Sequence, residues 1–154
     1  MSHQPQQAAE VCPLAVSLDV LGQKWTILII REALRGAQKF SEFEEVLGCP
    51  RNLLAARLRL LRDHGIFRVA PYEVPGQRTR EHYELTLAGQ ELAPALIALF
   101  DWGTKYTAEL GMTWAQPSRC QCGAQIHTAL ECEAGHSVEV DAIVYPRRGV
   151  VPVA

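Results

Sequence analysis

A mainly helical α+β chain carrying a small β-rich tail is predicted by three features of these 154 residues. After Pro50, Leu54, Leu58 and Leu61 recur at i, i+4 and i+7, marking one face of a helix for burial. Around a Val74-Pro75-Gly76-Gln77 tip, residues 66–72 and 80–86 read as two strands of a hairpin, with Tyr83 and Leu85 inward and Arg80, His82 and Glu84 outward. Further on, Leu92, Leu96, Leu99, Gly103, Tyr106 and Leu110 are spaced 4, 3, 4, 3, 4, the seam of a long C-terminal helix that needs a cover, either a second copy or the tail folded back over it. Residues 10–110 are therefore expected to form the main domain and 111–154 an extension.

In chain order, Cys12 to Leu21 reads as a short helix ended by Gly22. Lys24 to Leu34 reads as a second, with Trp25, Leu28, Ile29, Ala33 and Leu34 along its packed side and Gly36 as its C-cap. Ser41-Glu42-Phe43-Glu44 has the form of a capping box that starts a third helix, which Gly48 stops. Pro50, with fixed φ and no N–H, suits the first position of a fourth helix running to Asp63. Helix, glycine turn, helix, hairpin is the layout of a winged helix-turn-helix. Pro94 is expected to kink the long helix beyond it.

The fourth helix carries the chemistry. Opposite its leucine stripe lie Arg51, Asn52, Ala55, Ala56 and Arg59, long donors separated by small residues that let a backbone sit deep in a groove. Arginine can bond guanine O6 and N7 together and asparagine can do the same to adenine, so this face suits the major groove of double-stranded DNA. Arg78 and Arg80 sit at the hairpin tip, placed for phosphates or a minor groove. The competing reading of the face is an ordinary solvated helix surface.

Net charge is −2, yet residues 50–82 hold seven arginines against three acids, a local +4 that leaves −6 elsewhere. A localised basic patch is what phosphate contact needs.

Six segments carry a resemblance: Cys12-Pro13, Asp19 to Thr26, Phe40 to Phe43, Arg51 to Leu58, His64-Gly65-Ile66 and Tyr83 to Thr86. In this order and spacing they resemble the HxlR-type winged helix-turn-helix regulators of bacteria, from about Cys12 to Leu110. The resemblance implies a homodimeric, sequence-specific DNA-binding transcriptional regulator with Arg51, Asn52, Ala55, Arg59, Arg78 and Arg80 at the DNA. It also places Cys12 where some family members carry a thiol whose oxidation alters DNA binding, against the plain reading of a small buried apolar residue. The family's Ile-Ser before the recognition helix is Cys49-Pro50 here, which removes a serine N-cap.

The tail reads as a linker over 111–118, two cysteine-bearing turns, and a β-rich stretch from Ser137 to Tyr145. Cys120, Cys122, Cys132 and His136 are candidates for a structural zinc in a degenerate ribbon, although C-x-C is tighter than the usual C-x2-C. Reduced thiols on a small hairpin are the alternative. Longer members of the resembled family carry similar Cys-Gly and Gly-His tails.

Met1 to Glu10 lacks a signal-peptide core, and no apolar run approaches membrane-spanning length, so a cytoplasmic protein with no membrane partner and reduced cysteines is expected. No P-loop, G-x-G-x-x-G, G-x-S-x-G or H-E-x-x-H occurs, which argues against an enzyme. Two function classes stand: a dimeric DNA-binding regulator answering an oxidant or small molecule, and a zinc-binding or protein-interaction module whose winged helix reads no sequence.

Overall fold

The computed structural model describes residues 12–72, 80–107 and 117–145. They fall into two units, Met1–Leu96 and Ile97–Ala154. The first unit opens with α1 (Pro13–Leu21), for which Cys12 is the N-cap, and α2 (Lys24–Leu34), which turns from it by 82°. Of α2, Ile29 and Ile30 are fully buried and Trp25 packs half-buried against the same core. Glu32 is buried too, its carboxylate held by Arg31 at 2.6 Å and Arg35 at 3.2 Å. Burial of a carboxylate is tolerated because both neighbours bring a positive charge.

The third helix, α3 (Phe40–Leu47), starts two residues earlier than its sequence suggests, with Lys39 rather than Ser41 as the capping residue. Glu42, not Glu44, reaches back: its Oε2 accepts from the backbone N–H groups of Gln38 and Lys39 at 2.8 and 3.0 Å. Those two bonds hold the Glu42 carboxyl below the ordinary carboxylate range. Gly48, at φ 58°, ends the helix in the left-handed region, where a side chain would be strained.

Next comes α4 (Arg51–Asp63), with Pro50 as N-cap rather than first helical residue. The proline at φ −52° and ψ 130° has no side-chain acceptor, so α4 begins without the cap a serine would give. Leu54, Leu58 and Leu61 are fully buried, as their period demands. They meet Ile29, Ile30, Phe43, Cys49, Ile66 and Phe67 in one core. Phe43, Phe67 and Tyr83 form an edge-to-face trio with centroids 6.1–6.4 Å apart.

Two antiparallel strands follow, β1 (Phe67–Tyr72) and β2 (Arg80–Leu85), registered from Phe67 opposite Leu85 to Tyr72 opposite Arg80. Pro71 is accommodated because β1 pairs on one side only. On the other side of β2, Lys39 bridges to His82 and the Tyr83 N–H donates to the Gln38 carbonyl at 2.7 Å, tying the hairpin to the start of α3.

Thr86 joins these parts: its Oγ1 donates to the Gly65 carbonyl at 2.6 Å and accepts from the Gly89 N–H at 3.3 Å, capping α5 (Leu87–Gln90). A Cβ on buried Gly89 would stand 2.5 Å from the Ile66 carbonyl and 2.8 Å from Leu85. Gly89→Ala is therefore expected to destabilise the fold by about 1–3 kcal/mol, the usual cost of forcing atoms into a packed site. Urea unfolding measures it, and an unchanged midpoint would show that the carbonyl yields freely.

The long helix of the sequence reading is broken. After α5, α6 runs from Ala93 to Tyr106, and the break at Glu91-Leu92 precedes Pro94. Proline in a first helical turn loses no intrahelical bond, so Pro94 fits the start of α6 instead of kinking it. The seam divides accordingly. Leu92 and Leu96 pack against the core of the first unit, whereas Leu99, Trp102 and Tyr106 are exposed at 56%, 60% and 61%. The seam's last residue, Leu110, lies outside the described residues.

In the second unit the stretch from Ser137 to Tyr145 forms no strand: Ser137 makes one bridge to Glu131 and Val140–Ala142 is a 3-10 turn. Val140, Val144 and Tyr145 are exposed, so no sheet buries this run.

Candidate nucleic-acid interface

Helix α4 shows one face to solvent. Arg51, Asn52, Ala56 and Arg59 are exposed and Ala55 is half-buried between them, so the helix carries its long donors outward while its leucines fill the core. Arg57, on the flank, is half-buried with its Nε atom enclosed and unpartnered. It lies beside buried Cys49, whose thiol pKa is pushed up by burial and pulled back in part by the Arg57 charge.

Two of the outward donors differ in how they are held. Arg59 makes no ion pair among the described residues. Arg51 is tethered: its Nη1 donates to Glu44 Oε2 at 2.7 Å, and its guanidinium lies over the Phe40 ring, 5.0 Å from the centroid. The carboxylate that sequence alone assigns to capping is thus free to grip the first residue of α4. Around this pair an open hollow of about 520 Å³ is lined by Lys39, Phe40, Glu44, Arg51, Glu81 and Tyr83.

The local +4 of the sequence is partly neutralised in the fold. Glu44 on Arg51 and Glu84 on Arg68 come from outside residues 50–82, whereas Asp63, 2.7 Å from Arg62, is already counted in that sum; Glu84 also meets His82 Nε2 at 2.9 Å. Those partners hold Glu84 below its ordinary range, the His82 bond first and the Arg68 bond second. Arg80 opens β2, and Arg78 lies outside the described residues.

Cys12 is exposed at the N-terminus of α1, and Cys49 is the buried thiol. The tail cysteines occupy two copies of one turn, twelve positions apart. In the first, the Gly123 N–H donates to the Cys120 carbonyl, the Cys120 N–H to Ala124 and the Ile126 N–H to Ser118. In the second, Gly135 donates to Cys132, Cys132 to His136 and Val138 to Leu130. Gly123 and Gly135 take matching left-handed φ values of 89° and 79°. The thiol pKa of Cys120 is lowered chiefly by the backbone N–H of Cys122, and that of Cys132 by those of His136 and Ala134. The four zinc candidates are divided between the turns, Cys120 and Cys122 on one and Cys132 and His136 on the other. Among the described residues no group of three or more His, Cys, Asp and Glu side chains could hold a metal ion.

Residues 20–110 match the family model described as HxlR-like helix-turn-helix. The uncharacterized helix-turn-helix-type transcriptional regulator Mb3122 of Mycobacterium bovis is 40% identical over 90 residues, which are 58% of this chain and 56% of that protein. The chain thus spans little more than half the length of this relative. The crystal structure of PA1607, a candidate transcription factor, matches at a TM-score of 0.77 and 31% identity over 90% of this chain and 96% of that one. The redox regulator HypR in its reduced form matches at a TM-score of 0.56 and 26% identity over 64% of this chain and 99% of that one.

Proposed function

The chain belongs to the HxlR-like helix-turn-helix family of transcription regulators, and from that premise we propose that it acts as a homodimer that reads a specific duplex through α4. The observation that carries the proposal is the division of α4 into a buried leucine stripe and an exposed face of Arg51, Asn52, Ala56 and Arg59. Such a face presents the donor types that base edges accept, while α3 and the hairpin base pack against the same helix. The hairpin arginines, Arg78 and Arg80, are assigned to phosphate or minor-groove contact. A second copy is expected on α6, where Leu99, Trp102 and Tyr106 form an exposed apolar stripe at i, i+3 and i+7. Selection of duplexes from a randomised pool by the wild-type chain tests the proposal. A two-fold symmetric motif is expected, and a pool that remains random at low salt would overturn it.

A thiol response is assigned to Cys12, because it is exposed and caps a helix, and because the similar structure HypR is a redox regulator. Diamide should change duplex binding by the wild-type chain and leave Cys12→Ser unaffected, since sulfur chemistry needs the thiolate. Equal responses in both chains would move the role to the exposed tail cysteines Cys120, Cys122 and Cys132.

A further inference from the structure

We propose that Glu44 and Phe40 are positioning residues that brace Arg51 for base reading, so that sequence preference depends on two residues of α3 that need touch no base. The inference rests on the reading of α4 as the base-reading helix.

Arginine side chains carry several rotatable bonds, and ordering one at an interface costs conformational entropy. Arg51 has met that cost before any duplex arrives. Glu44 Oε2 takes one N–H of Nη1 at 2.7 Å, and the Phe40 ring supports the guanidinium plane from 5.0 Å. The Arg51 side chain nevertheless stays 69% exposed. A guanidinium has five N–H donors and Glu44 engages one of them, so the outer edge keeps the paired donors that guanine O6 and N7 accept. The ring and the carboxylate fix the plane as well as the position, and a bidentate contact is sensitive to both.

Placement reinforces the geometry. Glu44 is on α3 and is released from capping because Glu42 closes the helix start. Its side chain is 33% exposed, half enclosed by the hollow that Lys39, Phe40, Glu81 and Tyr83 line. An acid beside a proposed phosphate-binding face is an electrostatic cost, since it repels every duplex alike. Bracing Arg51 gives that acid a compensating role that operates on the correct sequence alone.

The two effects have opposite signs in Glu44→Gln, which makes them separable. Removing a purely repulsive acid would strengthen binding to every duplex. Removing a brace weakens the preferred duplex and leaves unrelated ones equal or tighter. The experiment is a fluorescence anisotropy titration with a duplex selected by the wild-type chain and with a shuffled duplex of the same composition. For Glu44→Gln we expect about a three- to tenfold loss on the selected duplex, with discrimination relaxed at one guanine, and no loss on the shuffled one. Phe40→Leu, which keeps an apolar side chain against the core but removes the ring, should give a loss in the same direction at the same base pair.

Arg51→Ala and the double variant Arg51→Ala, Glu44→Gln complete the cycle. With Arg51 gone, Glu44→Gln should cost nothing more on the selected duplex. Tighter binding of both duplexes by Glu44→Gln, or equal losses with and without Arg51, would overturn the bracing role. If Arg51→Ala itself leaves preference unchanged, base reading by Arg51 fails, a result distinct from failure of the brace.

Discussion

Leu99→Asp should yield a folded monomer whose affinity for the selected duplex is reduced by about a hundredfold or more, because linked half-site binding gains two to four orders of magnitude over a single module. The size follows from where Leu99 stands. It is 56% exposed on α6, beside Trp102 and Tyr106 whose rings lie 5.7 Å apart, so a carboxylate there disturbs no core of the single chain. Placed between two copies, the same carboxylate would be buried without a partner, which interfaces tolerate poorly. Leu96→Asp would not make the same test. Leu96 packs against the core that holds Leu54 and Ile29, and a charge there threatens the fold itself. Sedimentation of wild-type and Leu99→Asp chains at micromolar concentration, with thermal unfolding as a control, measures the effect. A wild-type chain that sediments as a monomer would remove the premise.

Replacing Arg51 or Asn52 by Ala should cost about 1–3 kcal/mol on the selected duplex and relax preference at separate base pairs. Both are exposed at the start of α4, and neither contributes to the core, so lost affinity cannot be traced to lost folding. Asn52 is the cleaner of the two. Arg51 also carries the Glu44 bond, and its removal leaves that carboxylate facing the duplex, adding repulsion to the lost contact. Retention of wild-type preference by both variants would mean that another face of the helix meets the groove.

Much of this arrangement was legible in the sequence where one physical rule acted alone. The leucine stripe of α4 allowed a single burial pattern, and Leu54, Leu58 and Leu61 are all at 0% exposure. The bounds of α2 and, to within one residue, of the two strands followed from period and turn residues in the same way. Errors arose where two groups competed for one role. Glu42 and Glu44 both stand near the start of α3, and only the backbone decides which one meets the free N–H groups. Its choice of Glu42 leaves Glu44 for Arg51, so a capping error concealed the bond that holds Arg51. Pro94 was legible as a disruption but not as a helix start, because the position of the break depends on Leu92 turning into the core. Likewise, the apolar residues of 137–145 suggested a strand, but strands need a partner along their length and here pairing stops after the contacts of Ser137 with Glu131 and Val138 with Leu130.

The tail shows a signal that sequence inspection could have used. Cys120 to Gly123 and Cys132 to Gly135 share a Cys-x-x-Gly frame at a fixed offset, and each glycine supplies the left-handed residue its turn needs.

The central claim is that two copies place two α4 helices on one duplex. Hydroxyl-radical and methylation footprints of the wild-type chain on a duplex it has selected test this most directly. The account predicts two protected major-groove patches related by two-fold symmetry and centred about 10 base pairs apart, or a multiple of that, with methylated guanines in each patch blocking binding. A single protected patch bound by one chain, or uniform protection insensitive to guanine methylation, would contradict it.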